Sequence, residues 1–295
     1  MLPFAIVDAP SVLGLRPNGV EELPEALKAA GLHAGLQAEY AGRVEPPPYS
    51  AKRDPETLVL NPKGLRDYAR QLAIKVTDLL ESNRFPVVLG GDCSNVIGCT
   101  LALRRMGRYG LFYIDGHADF YQPEAEPSGE VASMDLAIVS GRGPDILTTI
   151  DGLRPLVRDE DIVLFGYRDA KQQKEFGSQD VRETAIHAFD LEQVRELGIT
   201  AAAKHGMMKL GQIEGFWVHL DADVLNDAVM PAVDYRLADG LQWHELSALL
   251  KSLMASGQAV GMNIGIFNPR LDADGSIARR LVSTLIAGLR EESVA

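Results

Sequence analysis

The chain has 295 residues with 46% hydrophobic content, enough to bury one substantial core, so a single large α/β domain spanning 1–295 is expected rather than two small ones. A formal net charge of −12 argues against nucleic acid or an anionic membrane as partner and favours cationic ligands. No segment reaches the roughly 18 uninterrupted apolar residues of a membrane span, and Met1-Leu2-Pro3-Phe4 opens a strand rather than a basic, cleavable signal, so a soluble cytoplasmic protein is expected.

In chain order, Phe4 to Val7 reads as a strand, and Glu45-Pro46-Pro47-Pro48-Tyr49 is a breaker-rich loop. Asn61-Pro62 supplies an N-cap followed by proline at the first helical position, predicting a helix to about Ser82. A strand over Pro86 to Leu89, a helix over Ser94 to Arg105 and a strand over Gly110 to Ile114 follow, then a loop from Gln122 to Gly129. Further strands are expected at Ile162 to Phe165, Ile186 to Phe189 and Phe216 to Leu220. Trp243 to Ala255 carries Leu246, Leu249, Leu250 and Leu253 at helical spacing; a strand over Ala259 to Ile266 and a helix over Ser276 to Arg290 complete the series. Short apolar runs alternating with helices are the pattern of parallel βαβ units, and strands apolar throughout imply helices on both faces. There is no internal repeat and no low-complexity tract.

Three short clusters, each ending an apolar run, carry the chemistry: Gly90-Gly91-Asp92-Cys93-Ser94, Asp115-Gly116-His117-Ala118-Asp119 and Asp221-Ala222-Asp223. In an extended chain alternate side chains share a face, which predicts that Asp115, His117 and Asp119 project together, as do Asp221 and Asp223. Four carboxylates and an imidazole converging at the carboxyl edge of a sheet repel one another unless cations sit between them. A lone Asp-x-Asp or Asp-Gly-His is usually a turn; the weight comes from the three together. Gly90 and Gly91 let the backbone turn closely past the cluster, and Asp92 is expected to orient a ligand from behind. Cys93 and Cys99 give no disulfide framework; Cys99 reads as core. His219, two residues before Asp221, is expected on the same strand face, either as a proton shuttle or as a buried, hydrogen-bonded imidazole.

In this order and context the clusters resemble the ureohydrolase superfamily of arginase and agmatinase, over about Pro86 to Leu289. The resemblance implies a three-layer αβα arginase-like fold with a mainly parallel central sheet and two divalent metal ions held by Cys93, Asp115, His117, Asp119, Asp221 and Asp223. Manganese is the first expectation; a Cys93 thiolate, where the family usually has histidine, makes the cluster one unit more negative and turns the preference toward zinc, nickel or iron. The implied reaction is hydrolysis of a carbon–nitrogen bond in a small guanidino or amidino compound, releasing urea or a related amide and an amine, with water activated by the two ions. The resemblance further implies a homo-oligomer.

Substrate recognition departs from the family pattern. Ser128-Gly129-Glu130-Val131-Ala132-Ser133-Met134-Asp135 keeps the Ser-Gly, places Glu130 where an amide is usual and Ala132 where a proton-transferring histidine is usual. Ser128, Glu130 and Asp135 are therefore the expected substrate-binding residues, with Glu130 disfavouring ordinary arginine because a carboxylate repels a carboxylate. Asp119, His219 and Glu130 are the candidates for the catalytic step. Asn226-Asp227 replaces the usual Asp-Pro after the third cluster. No acidic residue stands near the last strand to contact a guanidinium; Asn263 lies near that place. Two alternatives remain open: a hydroxyarginine hydrolase, suggested by Cys93, and a noncatalytic subunit supporting an active paralogue.

Overall fold

The computed structural model describes residues 2–290. Its centre is an eight-stranded sheet in the order β2-β1-β3-β8-β7-β4-β5-β6. The strands are β1 (Phe4–Ala9), β2 (Glu39–Arg43), β3 (Phe85–Gly90), β4 (Gly110–Ile114), β5 (Ile162–Tyr167), β6 (His187–Asp190), β7 (Phe216–Asp221) and β8 (Ala259–Gly265). Every neighbouring pair is parallel.

Alternating strand residues feed two separate cores, which is why the strands are apolar throughout. On β4, Phe112 and Ile114 join one core while Leu111 and Tyr113 join the other. The helix Trp243–Ala255 buries Leu246, Leu249, Leu250 and Leu253 in the first core, alongside Leu281 and Leu285 of Ser276–Leu289. The helix Pro62–Glu81 buries Leu65, Leu72 and Val76 in the second, with Val96 and Leu103 of Asn95–Met106. Helix layers thus cover both faces, giving the three-layer αβα arrangement expected. The expected domain ends at Met1 and at 291–295 lie outside the described residues. Among the described residues no helix is long and apolar enough to cross a membrane.

All seven expected strands are present, with ends shifted by a few residues: Ile186 precedes β6 and Ile266 follows β8. The eighth, β2, has no apolar run; as an edge strand it is largely exposed. The helices Leu23–Ala29, Leu32–Leu36, Leu191–Leu197 and Ile199–Lys209 were not anticipated either. Asn61 departs from its expected capping role. It adopts a left-handed conformation, its Oδ1 accepts from the Ser50 N–H at 2.7 Å and its Nδ2 donates to the Leu13 carbonyl at 2.9 Å, tying two loops to the helix start instead.

Candidate metal centre

The carboxyl ends of β3, β7 and β4 carry the three clusters, with β8 lying between β3 and β7 in the sheet. Gly91 is required where β3 exits: a Cβ there would lie 2.0 Å from the Ser11 carbonyl oxygen. Gly116 is required after β4, since a Cβ would sit 2.4 Å from Arg168 Nη1 and 2.8 Å from the Asp223 carbonyl oxygen.

The six expected ligands are brought together, but not by strand alternation. β4 stops at Ile114, Asp115 Oδ1 accepts from the His117 N–H at 2.6 Å, and Asp119 has φ +45°, so residues 115–119 form a tight turn. Asp221 closes β7, and its Oδ1 accepts from the Asp223 N–H at 2.7 Å as a 3-10 turn begins. Two ends of the centre result. At one, a ligand atom from each of Asp115, His117 and Asp223 lies within 4.8 Å of the others. His117 Nδ1 is 2.8 Å from Asp223 Oδ2, whose Oδ1 accepts from the Gly116 N–H at 3.0 Å. At the other end stand Cys93, Asp119 and Asp135, again within 4.8 Å. Cys93 Sγ, 2.8 Å from Asp221 Oδ2, joins the two ends.

The electrostatics are those of an anion cluster without enough countercharge. Burial, reinforced by mutual repulsion, pushes the carboxyls of Asp115, Asp135 and Asp221 well above the ordinary carboxylate range and Asp119 to about 7. Burial followed by the Asp221 charge likewise raises the Cys93 thiol. Burial works against charge on His117 and Asp223 too, but their pairing overcomes it: His117 rises to about 10 and Asp223 falls below its usual value. Asp115 Oδ2 and Asp135 Oδ2 are buried without hydrogen-bond partners. The donor set of carboxylates, imidazole and thiol therefore fits divalent cations, which would lie against those oxygens and remove the repulsion.

His219 reaches the cluster but is fully buried and is not among the cavity's lining residues. Its ring stacks on Tyr113 at 4.2 Å between centroids. Trp217 Nε1 donates to Asn263 Oδ1 at 2.8 Å, so the amide turns Nδ2 toward His219 Nδ1, also at 2.8 Å. Because an indole nitrogen only donates, this fixes the tautomer: His219 Nδ1 accepts and Nε2 holds the proton. Burial lowers the imidazole pKa to about 3, keeping it neutral. Nε2 lies 4.0 Å from Asp115 Oδ2, too far for a hydrogen bond, and both atoms are buried without a partner. Asn263 is thereby engaged with Trp217 and His219, not with the cavity. Asp92, expected to orient a ligand, instead accepts from the Gly14 and Ser94 N–H groups and braces the loop itself.

A cavity of about 290 Å³ opens over the centre, with His117, Asp119, Asp221 and Asp223 on its floor. Leu15, Tyr121, Ala132, Phe176 and Ile266 supply apolar walls. Ile266 holds φ +70°, an uncommon conformation for a β-branched residue, pinned by its N–H bond to the Gly91 carbonyl at 2.9 Å. Ser128 and Glu130 are at the rim as expected. Glu126 Oε2 gathers the Ser128 hydroxyl and the Gly129 and Glu130 N–H groups, shaping that loop. Glu130 is buried; Tyr235 donates its hydroxyl to Oε2 at 2.6 Å, and Arg16 Nε lies 3.4 Å from Oε1. Its charge is countered, which the sequence did not reveal. Asp135 differs from expectation: it is fully buried, bonded through Oδ1 to the Tyr113 hydroxyl at 2.5 Å, and does not line the cavity.

Sequence reasoning also passed over Tyr113 and Arg168. Tyr113 stands two residues before Asp115, the same spacing that drew attention to His219, and its hydroxyl is 2.7 Å from Asp119 Oδ2. Arg168 Nη2 donates to the Asp223 carbonyl at 2.8 Å, and no motif marks it.

A buried carboxylate, imidazole and thiol centre at the carboxyl edge of a parallel three-layer sheet defines a metallohydrolase class. A family model described as the Arginase family matches residues 3–289, and the chain belongs to that family. It is 30% identical over 293 residues, 94% of each chain, to an arginase of Staphylococcus aureus (strain COL). The native arginase structure from Bacillus caldovelox at pH 5.6 superposes with TM-score 0.90 and 27% identity, covering 99% of this chain and 100% of that one. Proclavaminate amidino hydrolase from Streptomyces clavuligerus shares the fold at TM-score 0.72 and 18% identity, over 98% of this chain and 90% of that one. The chain is thus a ureohydrolase-type metallohydrolase of non-peptide carbon–nitrogen bonds in guanidino compounds, in a family of binuclear metal enzymes.

Proposed function

We propose that the centre takes two divalent cations and hydrolyses a guanidino or amidino compound other than ordinary arginine, releasing urea or a related amide and an amine. The observation that carries this reading is the convergence of Asp115, Asp119, Asp221 and Asp223 with His117 and Cys93 beneath a cavity, with buried carboxylate oxygens left unpartnered. Asp115, His117 and Asp223 would hold one ion, and Cys93 and Asp119, with Asp221 beside them, the other. When bound, the ions supply Lewis acidity and water of lowered pKa. Manganese suits the carboxylates; the Cys93 sulfur favours zinc, nickel or iron.

The residues of the chain bind, orient and carry protons. Apolar walls strip water from the guanidino group and leave its reacting carbon over the acidic floor. Asp119, on the floor with Oδ2 held by the Tyr113 hydroxyl, is assigned a catalytic role beyond ligation. Glu130, at the rim and beside the exposed Arg16, is the carboxylate placed to pass a proton between cavity and solvent. Ser128 shapes the rim that receives the tail. His219 is poorly suited to shuttling protons, because its Nδ1 is engaged by Asn263 and its ring is fully buried.

The substrate's tail is read as uncharged near Glu130, because Glu130 is already matched by Arg16 and Tyr235. Hydroxyarginine remains within the same reading through Cys93. A noncatalytic subunit supporting a paralogue is the second reading, favoured by Ala132 and Ile266, which present hydrocarbon to the cavity. We further read the chain as one domain, cytoplasmic and homo-oligomeric; its two cysteines are free and buried, which suits a reducing compartment. Metal content measured with urea release across a panel of guanidines tests the proposal. Two ions per chain with turnover of any panel member supports it; two ions with no turnover turns the case to the noncatalytic subunit.

A further inference from the structure

The Cys93 end of the centre carries one carboxylate more than the six-residue set uses. Asp135 opens the short helix Asp135–Val139 and is fully buried. Its Oδ1 meets the Tyr113 hydroxyl, but its buried Oδ2 has no hydrogen-bond partner. Tyr113 cannot satisfy the surroundings alone. Its hydroxyl has one proton and lies 2.7 Å from Asp119 Oδ2 and 2.5 Å from Asp135 Oδ1, so it donates to only one of them.

An oxygen of Asp135, an oxygen of Asp119 and Cys93 Sγ lie within 4.8 Å of one another. Three donors around a single ion at about 2.0–2.3 Å stand no more than about 4.6 Å apart, so small side-chain adjustments close this triad on a cation. The neighbouring group of Cys93, Asp115 and His219 is equally compact but cannot act in the same way, because the Trp217–Asn263 pair leaves His219 Nε2 protonated.

We propose that Asp135 is a metal ligand, forming with Cys93 and Asp119 a sulfur-and-oxygen site for a borderline divalent cation such as zinc or cobalt. This rests on the binuclear reading and adds to it: one of the two ions is held from the 128–135 segment as well as from the strand ends. Asp135 thus ties the substrate-side loop to the metal floor, and the loop's position depends on metal.

The test is cobalt(II) titration of the metal-stripped full chain, read by bound cobalt per chain and by thiolate-to-cobalt charge-transfer absorption in the near ultraviolet. Wild type is expected to bind two ions and show the band. Asp135→Asn keeps an acceptor for the Tyr113 hydroxyl, yet should weaken one ion at least tenfold and leave the other unchanged. Cys93→Ser should abolish the band and weaken that same ion. Tyr113→Phe removes a partner of two ligands and should weaken the same ion, but it spares all three ligand atoms and should leave the visible cobalt spectrum and the thiolate band in place at saturation. Asp135→Glu keeps the charge but moves the oxygens, and should alter the visible cobalt spectrum; it serves if Asp135→Asn does not fold. Two ions bound by wild type and Asp135→Asn alike, or an unaltered Asp135→Glu spectrum, overturns this assignment alone. Failure of wild type to bind cobalt overturns the binuclear reading and this assignment with it.

Discussion

On the cavity floor and just beneath it, the carboxylates of Asp221, Asp223 and the fully buried Asp115 each accept a hydrogen bond from the turn or cluster they belong to or face. On the rim, Glu130 is held by Tyr235 and Arg16, side chains arriving from segments distant in sequence. The difference teaches where each region is adjustable. The floor is fixed by backbone turns, so its chemistry follows from a few short motifs. The rim is fixed by exchangeable side-chain pairs, so it is where specificity is set without disturbing the metal ligands.

The floor gives the largest expected effect. Asp119→Ala with Asp223→Ala should take bound metal from two ions to none and lower any turnover by on the order of a thousandfold or more, since the ions supply several kcal/mol. The metal-free variant should be less stable than metal-free wild type, because losing Asp223 leaves His117 without its buried partner and the Gly116 N–H without its acceptor. Elemental analysis with thermal unfolding in chelator checks both. Full metal occupancy in the double variant would show that the floor is not the site.

A pH series sharpens the same contrast. In metal-free protein Asp119 is raised to about 7 and His117 to about 10, so between their unfolded values and these the native state holds more protons than the unfolded one. The proton-linked stability is fully present below the unfolded pKa of each group and is lost as pH rises through about 7 and then about 10. Chelator-treated protein should therefore lose thermal stability from about pH 4 to pH 10, while apparent metal affinity rises over the same range as cations displace those protons. A flat chelator-treated profile would mean that the floor groups are not protonated when metal is absent.

The ease with which sequence gave up the floor, and not the rim, has the same physical origin. β3, β4 and β7 are continuous apolar runs because both faces are covered, and each terminates directly at a cluster. β2 escaped because an exposed edge strand such as Glu39–Arg43 needs no apolar pattern. Strand alternation does not bring Asp115, His117 and Asp119 together, since β4 ends at Ile114 and Asp119 has a positive φ. Asp135 was expected to bind substrate and is instead sealed against Tyr113, away from the cavity. Partners such as Arg168, Arg16 and Tyr235 had no local signal, because their roles exist only once separate segments meet.

The rim predicts a moderate effect. A bare carboxylate about 4 Å from a substrate carboxylate would cost roughly 4 kcal/mol at an effective dielectric near 20. Arg16 stands against that charge but is itself 70% exposed, so its compensation is screened. Glu130→Gln should then raise the ratio of turnover on acidic over cationic guanidino compounds by about fivefold, near 1 kcal/mol, and Arg16→Ala should lower it by a similar factor. Opposite signs for the two variants support a matched pair. Equal metal content in both would keep the effect on the rim, and an unchanged ratio in Glu130→Gln would make Glu130 a bystander.

Tyr235→Phe is expected to have the smallest effect and the most selective. The substitution keeps the half-exposed ring that lines the cavity and removes only the hydroxyl that donates to Glu130 Oε2. Glu130 is then left with Arg16 at 3.4 Å, and more of its negative charge faces the cavity. A hydrogen bond to a charged group is worth about 1.5–3 kcal/mol when intact and buried, but water admitted at the exposed Tyr235 position replaces most of it. The acidic-over-cationic ratio should therefore fall by about twofold to threefold, the direction of Arg16→Ala and opposite to Glu130→Gln. Measured in the Glu130→Gln background, Tyr235→Phe should leave the ratio unchanged, because the charge it tunes is gone. A shift that persists in that background would mean that Tyr235 contacts substrate directly, and the rim would be a binding surface in its own right instead of a device for setting the charge on Glu130.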